Sequence, residues 1–276
     1  MKKVFAFILL LLFLITPFLS LAFPGSKSLQ KQELEKTRNK ILDYIRKNKL
    51  YFRVEDLILL DYLQRRFNLP DEFSFNRSFV RIPTSQDIKS LEIYGRLINY
   101  TGIHWKKPNQ AESYIWLELK ALFIDRREDC PDKITLIRQI KEQSKQGGYK
   151  TTHSALALSW FIEQECLSTS DNDVQQLINE VIHQIYSITL SISFPSDLKV
   201  EALAFICYLG KKKIINPEEI YHLLSFQRDD GAFSGTGIPS DGVNIHTTLL
   251  MFWLTHEFLN EDILFTEPMI VKRSKS

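Results

Sequence analysis

Apolar residues recur at three- and four-residue intervals from about residue 29 to residue 260, and no stretch alternates apolar with polar over a strand's length. A period near 3.6 is that of a helix burying one face, so the pattern predicts an all-α chain. The spacing places helices near 29–46, 54–67, 86–100, 110–125, 132–145, 152–166, 172–190, 197–210, 217–227 and 244–260, which is ten helices or five pairs. Local chemistry marks several starts. Pro131 and Pro217 suit a first helical turn, and Asn216 and Ser196 stand where a side-chain oxygen can cap the helix that follows.

The helices repeat. His153-Ser-Ala-Leu156-Ala-Leu158-Ser-Trp160 matches His246-Thr-Thr-Leu249-Leu-Met251-Phe-Trp253 in the pattern H-x-x-L-x-[LM]-x-W. Between them Val200-Glu201-Ala-Leu203-Ala-Phe205-Ile-Cys207 keeps the leucine register without His or Trp, at offsets of 47 and 46 residues. Such a period suits two helices and two turns. A second matched element, Q-x-x-[QD]-G-x-[YF], runs from Gln143 through Gly147 to Tyr149 and from Gln227 through Gly231 to Phe233. In it the glycine permits a sharp turn, the aromatic fills a wedge between helix pairs, and the glutamine can satisfy exposed backbone groups.

Gln227 to Phe233, followed by Asp241 and by His246-Thr247 opening an apolar helix, resembles the repeat of the terpenoid cyclase and protein prenyltransferase α/α-toroid superfamily, and Gln143 to Tyr149 resembles the same motif. The resemblance is specific over roughly residues 131–260. It implies a ring of inner helices wrapped by outer ones around a central cavity, here small or partial because only five pairs are present. In the family the glutamine–glycine–aromatic turns are structural. The family's catalytic motifs are absent: no D-x-D-D occurs for protonation-initiated cyclisation, and His246 stands where a zinc histidine would fall but lacks the matching Asp-x-Cys. The expectation is therefore no metal and no cofactor.

In that geometry the inner helices start near residues 54, 110, 152, 197 and 244, and their N-termini share one rim. Parallel helix starts favour an anion, and Lys150 and Arg228 lie on the same side, so phosphate, carboxylate or an acidic sugar is the expected ligand. His153 and His246 are the candidate proton-transfer groups. His246 with Asp241 is the expected acid–base pair, and Glu112 and Glu201 are further carboxylates able to approach the inner face. The plainer alternatives are that each histidine only bonds a neighbouring loop and that Trp160 and Trp253 are core or cavity lining. Cys130 and Cys166 fall at one end of a helix hairpin, which favours a disulfide between them and leaves Cys207 as a buried thiol.

Composition changes the picture in two places. Lys2 and Lys3 followed by the apolar run Val4–Leu19 and Ser20-Leu21-Ala22 read as a cleaved export signal over 1–22, with an uncleaved membrane anchor as the alternative. Residues 23–262 then form one domain and 263–276 a tail. Losing Lys2 and Lys3 leaves the 33 acidic residues matched by equally many basic ones, which argues against nucleic acid as a partner. No G-x-S-x-G and no Cys-Gly-Glu-Gln run occurs, so neither a serine-hydrolase elbow nor a thioester site is expected. The sequence thus predicts a secreted or periplasmic protein with a cavity for an unidentified ligand or partner. The alternative is a glycan-active lyase or hydrolase using His153, His246 and Asp241 at the rim. The sequence does not decide whether the protein is an enzyme.

Overall fold

The computed structural model describes residues 25–76, 84–98, 116–124, 127–260 and 267–271. The expected leader, Glu112 and the basic run 272–275 lie outside them. Among the described residues the fold is all helical: α1 (Gly25–Asn48), α2 (Val54–Phe67), α3 (Ser85–Tyr94), α4 (Leu117–Leu122), α5 (Lys133–Ser144), α6 (Gly148–Glu163), α7 (Asn172–Ser191), α8 (Asp197–Tyr208), α9 (Pro217–Leu224) and α10 (Ile245–Leu259).

 The α10 helix therefore runs from Ile245 to Leu259, one residue inside the expected span at each end. No helix among these is long and apolar enough to cross a membrane.

The starts follow the side-chain chemistry. Ser196 Oγ accepts the Lys199 N–H, Asn216 Oδ1 accepts the Glu218 N–H with Pro217 in the first turn, and Asn244 Oδ1 accepts the Thr247 N–H. Two starts differ from expectation. Asp132, not Pro131, caps α5 by accepting the Thr135 N–H, so the proline stands outside the helix. Helix α6 begins four residues early, at Gly148, because Gly147 at φ 77° turns the chain directly into it.

Packing separates two kinds of helix. Helices α4, α6, α8, α10 and α2 pack side by side in that order, while α5 and α7 back α6, α7 also backs α8, and α1 and α9 back α10. The sequence explains the division. Every residue from Lys199 to Tyr208 in α8 and from Thr247 to Glu257 in α10 is buried, as expected of helices apolar all round. In α7, by contrast, only one stripe, Val174, Leu177, Ile178, Val181, Ile182, Ile185 and Thr189, is buried.

Cys130 and Cys166 are joined by a disulfide that ties the start of the α5 region to the end of α6, and Cys207 is a buried free thiol. The segment 267–271, expected within a tail, is instead built into the domain: Met269 and Ile270 are buried. Arg65 donates to the Pro268 and Met269 carbonyls, and buried Glu163 accepts from the Met269 and Ile270 N–H groups and from the Tyr208 hydroxyl.

Candidate functional site

A cavity of roughly 240 Å³ lies among α2, α6, α8 and α10, and its walls are layered by helical spacing. The outermost layer is titratable: Glu55, His153, Glu201 and His246. One turn deeper come Ile58, Leu59, Leu156, Phe205 and Leu250, and two turns deeper the rings of Tyr62, Trp160 and Trp253. Positions i, i+3 or i+4, and i+7 of an α-helix share a face, so α2, α6 and α10 each deliver a ladder of a polar, an aliphatic and an aromatic residue, and α8 delivers Glu201 and Phe205. Met269 from the C-terminal segment adds to the apolar lining, as do Tyr94 and Leu97.

The two repeat histidines meet at this cavity, and each is held by a carboxylate from the preceding wall helix. His153 Nδ1 lies 2.7 Å from Glu118 Oε1 on α4, and His246 Nδ1 lies 2.8 Å from Asp197 Oδ1 on α8. A ring nitrogen facing a carboxylate carries the proton, which leaves Nε2 of each imidazole as the second functional atom. His153 Nε2 is 4.0 Å from Glu201 Oε1. Thr247 Oγ1 and the Tyr149 hydroxyl also donate to Asp197, at 2.9 and 3.0 Å, and the Thr152 hydroxyl donates to Glu201.

These contacts set the charges. Burial alone would lower both histidine pKa values, but the hydrogen bond and charge of Glu118 hold His153 above the ordinary imidazole value, and those of Asp197 do the same for His246. Burial acts to raise Asp197, yet its bonds from His246, Thr247 and Tyr149 outweigh it and the pKa falls. Glu201 is pushed up by burial, which the charge of His153 only partly offsets, and Asp56 behind the α2 start is raised for the same reason against Arg53 and His246. Among the described residues Asp56 Oδ1 and Glu118 Oε2 are buried without a hydrogen-bond partner, and so is the indole N–H of Trp160.

The site differs from the sequence expectation in its carboxylates. Asp241 accepts from the Thr236 hydroxyl at 2.7 Å in the loop before α10, while His246 pairs with Asp197. The expected cations are not among the residues lining the cavity. Lys150 is exposed, and the Arg228 guanidinium donates to the Pro239 and Asp241 carbonyls and to Asp230, which makes it a brace for its own loop. Glu201, Trp160 and Trp253 do line the cavity. The turn motifs lie outside it: Gln227 donates to Thr37 and Gly231 carbonyls, Phe233 is fully buried, Gln143 has an unpaired buried Nε2, and only Tyr149 reaches the site, through Asp197. Glu118 and the role of Asp197 were missed, although a signal existed. That signal covers Asp197 alone, which lies 49 residues before His246 and so close to one repeat, whereas Glu118 lies only 35 residues before His153.

Asp197, Glu201 and His246 can also be read as metal donors, since one atom from each falls within 4.8 Å of the others. These donors come from two helices, α8 and α10. Opposed donors on zinc are separated by at most about 4.2 Å, twice a metal–ligand bond, so a spread approaching 4.8 Å would require side-chain rotation before the trio closed on an ion. No protein-family model matches the chain, and no curated protein or solved structure matches it either.

Proposed function

We propose that this is an exported protein of α/α-toroid type, with α2, α4, α6, α8 and α10 as a partial inner ring, that holds a small molecule in the cavity at its inner helix starts. The observation that carries the reading is that His153 and His246, one at each matched repeat, line one cavity with Trp160 and Trp253 two turns deeper. At roughly 240 Å³ the cavity is smaller than the roughly 300–1,000 Å³ of drug-sized sites, so its occupant is small, and a polysaccharide could enter only by one residue. Filling the waist tests this: Leu250→Trp should abolish any ligand-induced change in melting temperature or tryptophan fluorescence while leaving the helical content unchanged. A ligand whose effect survives that substitution would refute binding in the cavity.

A second reading is favoured by one feature. With Nδ1 of both imidazoles held by carboxylates, Nε2 of His246 is poised for general acid–base chemistry at the mouth, and a glycan-active enzyme would use it there with Asp197 in place of Asp241. His246→Ala should then cost about a hundredfold or more in rate on a glycan substrate, whereas a binding protein would lose affinity or stability alone.

A further inference from the structure

The chemistry of the cavity wall defines the class of ligand, and this step rests on the cavity being a binding site. Carboxylates dominate its mouth. Glu55 and Glu201 line it, and Asp56, Glu118 and Asp197 stand directly behind or beside the two histidines. Against these five carboxylates stand two imidazoles and the Arg53 guanidinium, 3.6 Å from Asp56, and no lysine or arginine is among the described residues lining the cavity. With all of these groups charged the balance is negative.

The positive ends of α2, α6 and α8 oppose this, each worth about half a charge at most, but the capping side chains of Asp56 and Ser196 already engage the exposed N–H groups of α2 and α8. Below the mouth, Tyr62, Trp160 and Trp253 line the cavity, and the face of an aromatic ring is the electron-rich surface on which a poorly hydrated cation is stabilised. Arg66 lies behind this floor, 5.6 Å from the Trp253 ring, with its charge matched by Glu257. Three buried polar atoms ask for more than a charge. Among the described residues Asp56 Oδ1 and Glu118 Oε2 have no donor, and the N–H of Trp160, which lines the cavity, has no acceptor.

We infer that the cavity takes a small organic cation, an ammonium head lodged between the mouth carboxylates and the aromatic floor, on a body that also carries a hydrogen-bond-accepting oxygen. Choline is a suitable probe because its charge is permanent and it bears one hydroxyl. Its neutral carbon isostere, 3,3-dimethyl-1-butanol, keeps shape and hydroxyl without the charge, and 3,3-dimethylbutyrate reverses the charge.

The experiment is titration calorimetry of the three probes with the purified mature chain in buffer containing a chelator. Choline should bind roughly tenfold or more tighter than the alcohol, and the butyrate more weakly still. Glu55→Gln combined with Glu201→Gln should reduce the choline preference to within about threefold, a variant whose folding is checked by its helical circular dichroism. Between pH 5.5 and 8.5 choline affinity should rise as His153 and His246 discharge, the groups facing them being Glu55, Asp56, Glu118, Asp197, Glu201 and Tyr149. If the alcohol or the butyrate binds as tightly as choline, the cation inference is overturned while the cavity reading stands. If none of the three binds, both are overturned.

Discussion

His246 and Asp197 are separated by 49 residues in the chain and by 2.8 Å in the fold, Nδ1 to Oδ1. Three donors converge on that one carboxylate, from His246, Thr247 and Tyr149, so α10, α8 and the turn that opens α6 are fastened at a single point. The cavity mouth is consequently a rigid feature shared by three wall helices, and its protonation state is coupled to their packing.

Replacing Asp197 with Asn should therefore lower the His246 pKa, because the amide keeps the shape and removes the charge. Proton NMR of the imidazole during a pH titration reads this directly. The raised histidine pKa means that the dyad contributes stability in full below the unfolded-state value and loses it as pH rises through the folded-state value. The lowered Asp197 pKa contributes stability above the unfolded carboxylate value and loses it in acid. Both contributions should shrink in the variant, seen as a flatter plot of urea midpoint against pH.

Beneath the cavity floor, Arg66 and Glu257 form a fully buried pair, and Trp253 Nε1 donates to the same Glu257 oxygen at 2.9 Å. Removing one partner leaves an uncompensated charge, so Glu257→Gln should cost about 3–5 kcal/mol in equilibrium urea unfolding. Replacing both, as in Arg66→Met with Glu257→Leu, should cost clearly less than the single change, since no lone charge remains.

His256 is the histidine that resists protonation. It stacks on Phe67, meets Phe252 edge-on, and is held by burial at a pKa of about 4. Since the folded value lies below the unfolded value, stability is complete above the unfolded pKa near 6.5 and falls as the pH drops toward about 4, by up to about 3 kcal/mol. His256→Leu should remove most of that acid dependence. An unchanged slope between pH 6.5 and 4.5 would show that another group supplies it.

The two glycine turns should differ in tolerance. A Cβ on Gly231, at φ 95°, would meet the Lys40 carbonyl oxygen at 2.3 Å, whereas one on Gly147, at φ 77°, would meet nothing within 4 Å. Gly147→Ala should thus cost only backbone strain, about 1 kcal/mol, and Gly231→Ala about 3 kcal/mol or more because backbone on α1 must move as well. Thermal melts of the two variants compare these costs.

The matched turns were legible as motifs, yet only coordinates distinguish them: Gly231 sits against α1, and Gly147 turns in open space. The carboxylates show the same limit. Asp241 stands five residues before His246 and looked like its partner, but its loop bends it onto Thr236. The true partner comes from a different helix, one repeat away. Glu118 plays the same part for His153 at a separation of only 35 residues, so the period of 46 to 47 residues was a clue to Asp197 and not to Glu118.

What the sequence determined is local and periodic. Helix existence follows from hydrogen bonds and caps within a few residues, and burial on all sides of α8 and α10 follows from the apolar residues that occupy every face of their central turns. The repeat register placed the histidines and tryptophans on corresponding faces. Tertiary structure alone decided which carboxylate each imidazole meets and which buried polar atoms remain unpaired. It also decided that residues 267–271 are anchored against the domain. Those outcomes depend on contacts between segments distant in the chain, where the packing of whole helices, rather than the spacing of residues along one of them, fixes the distances.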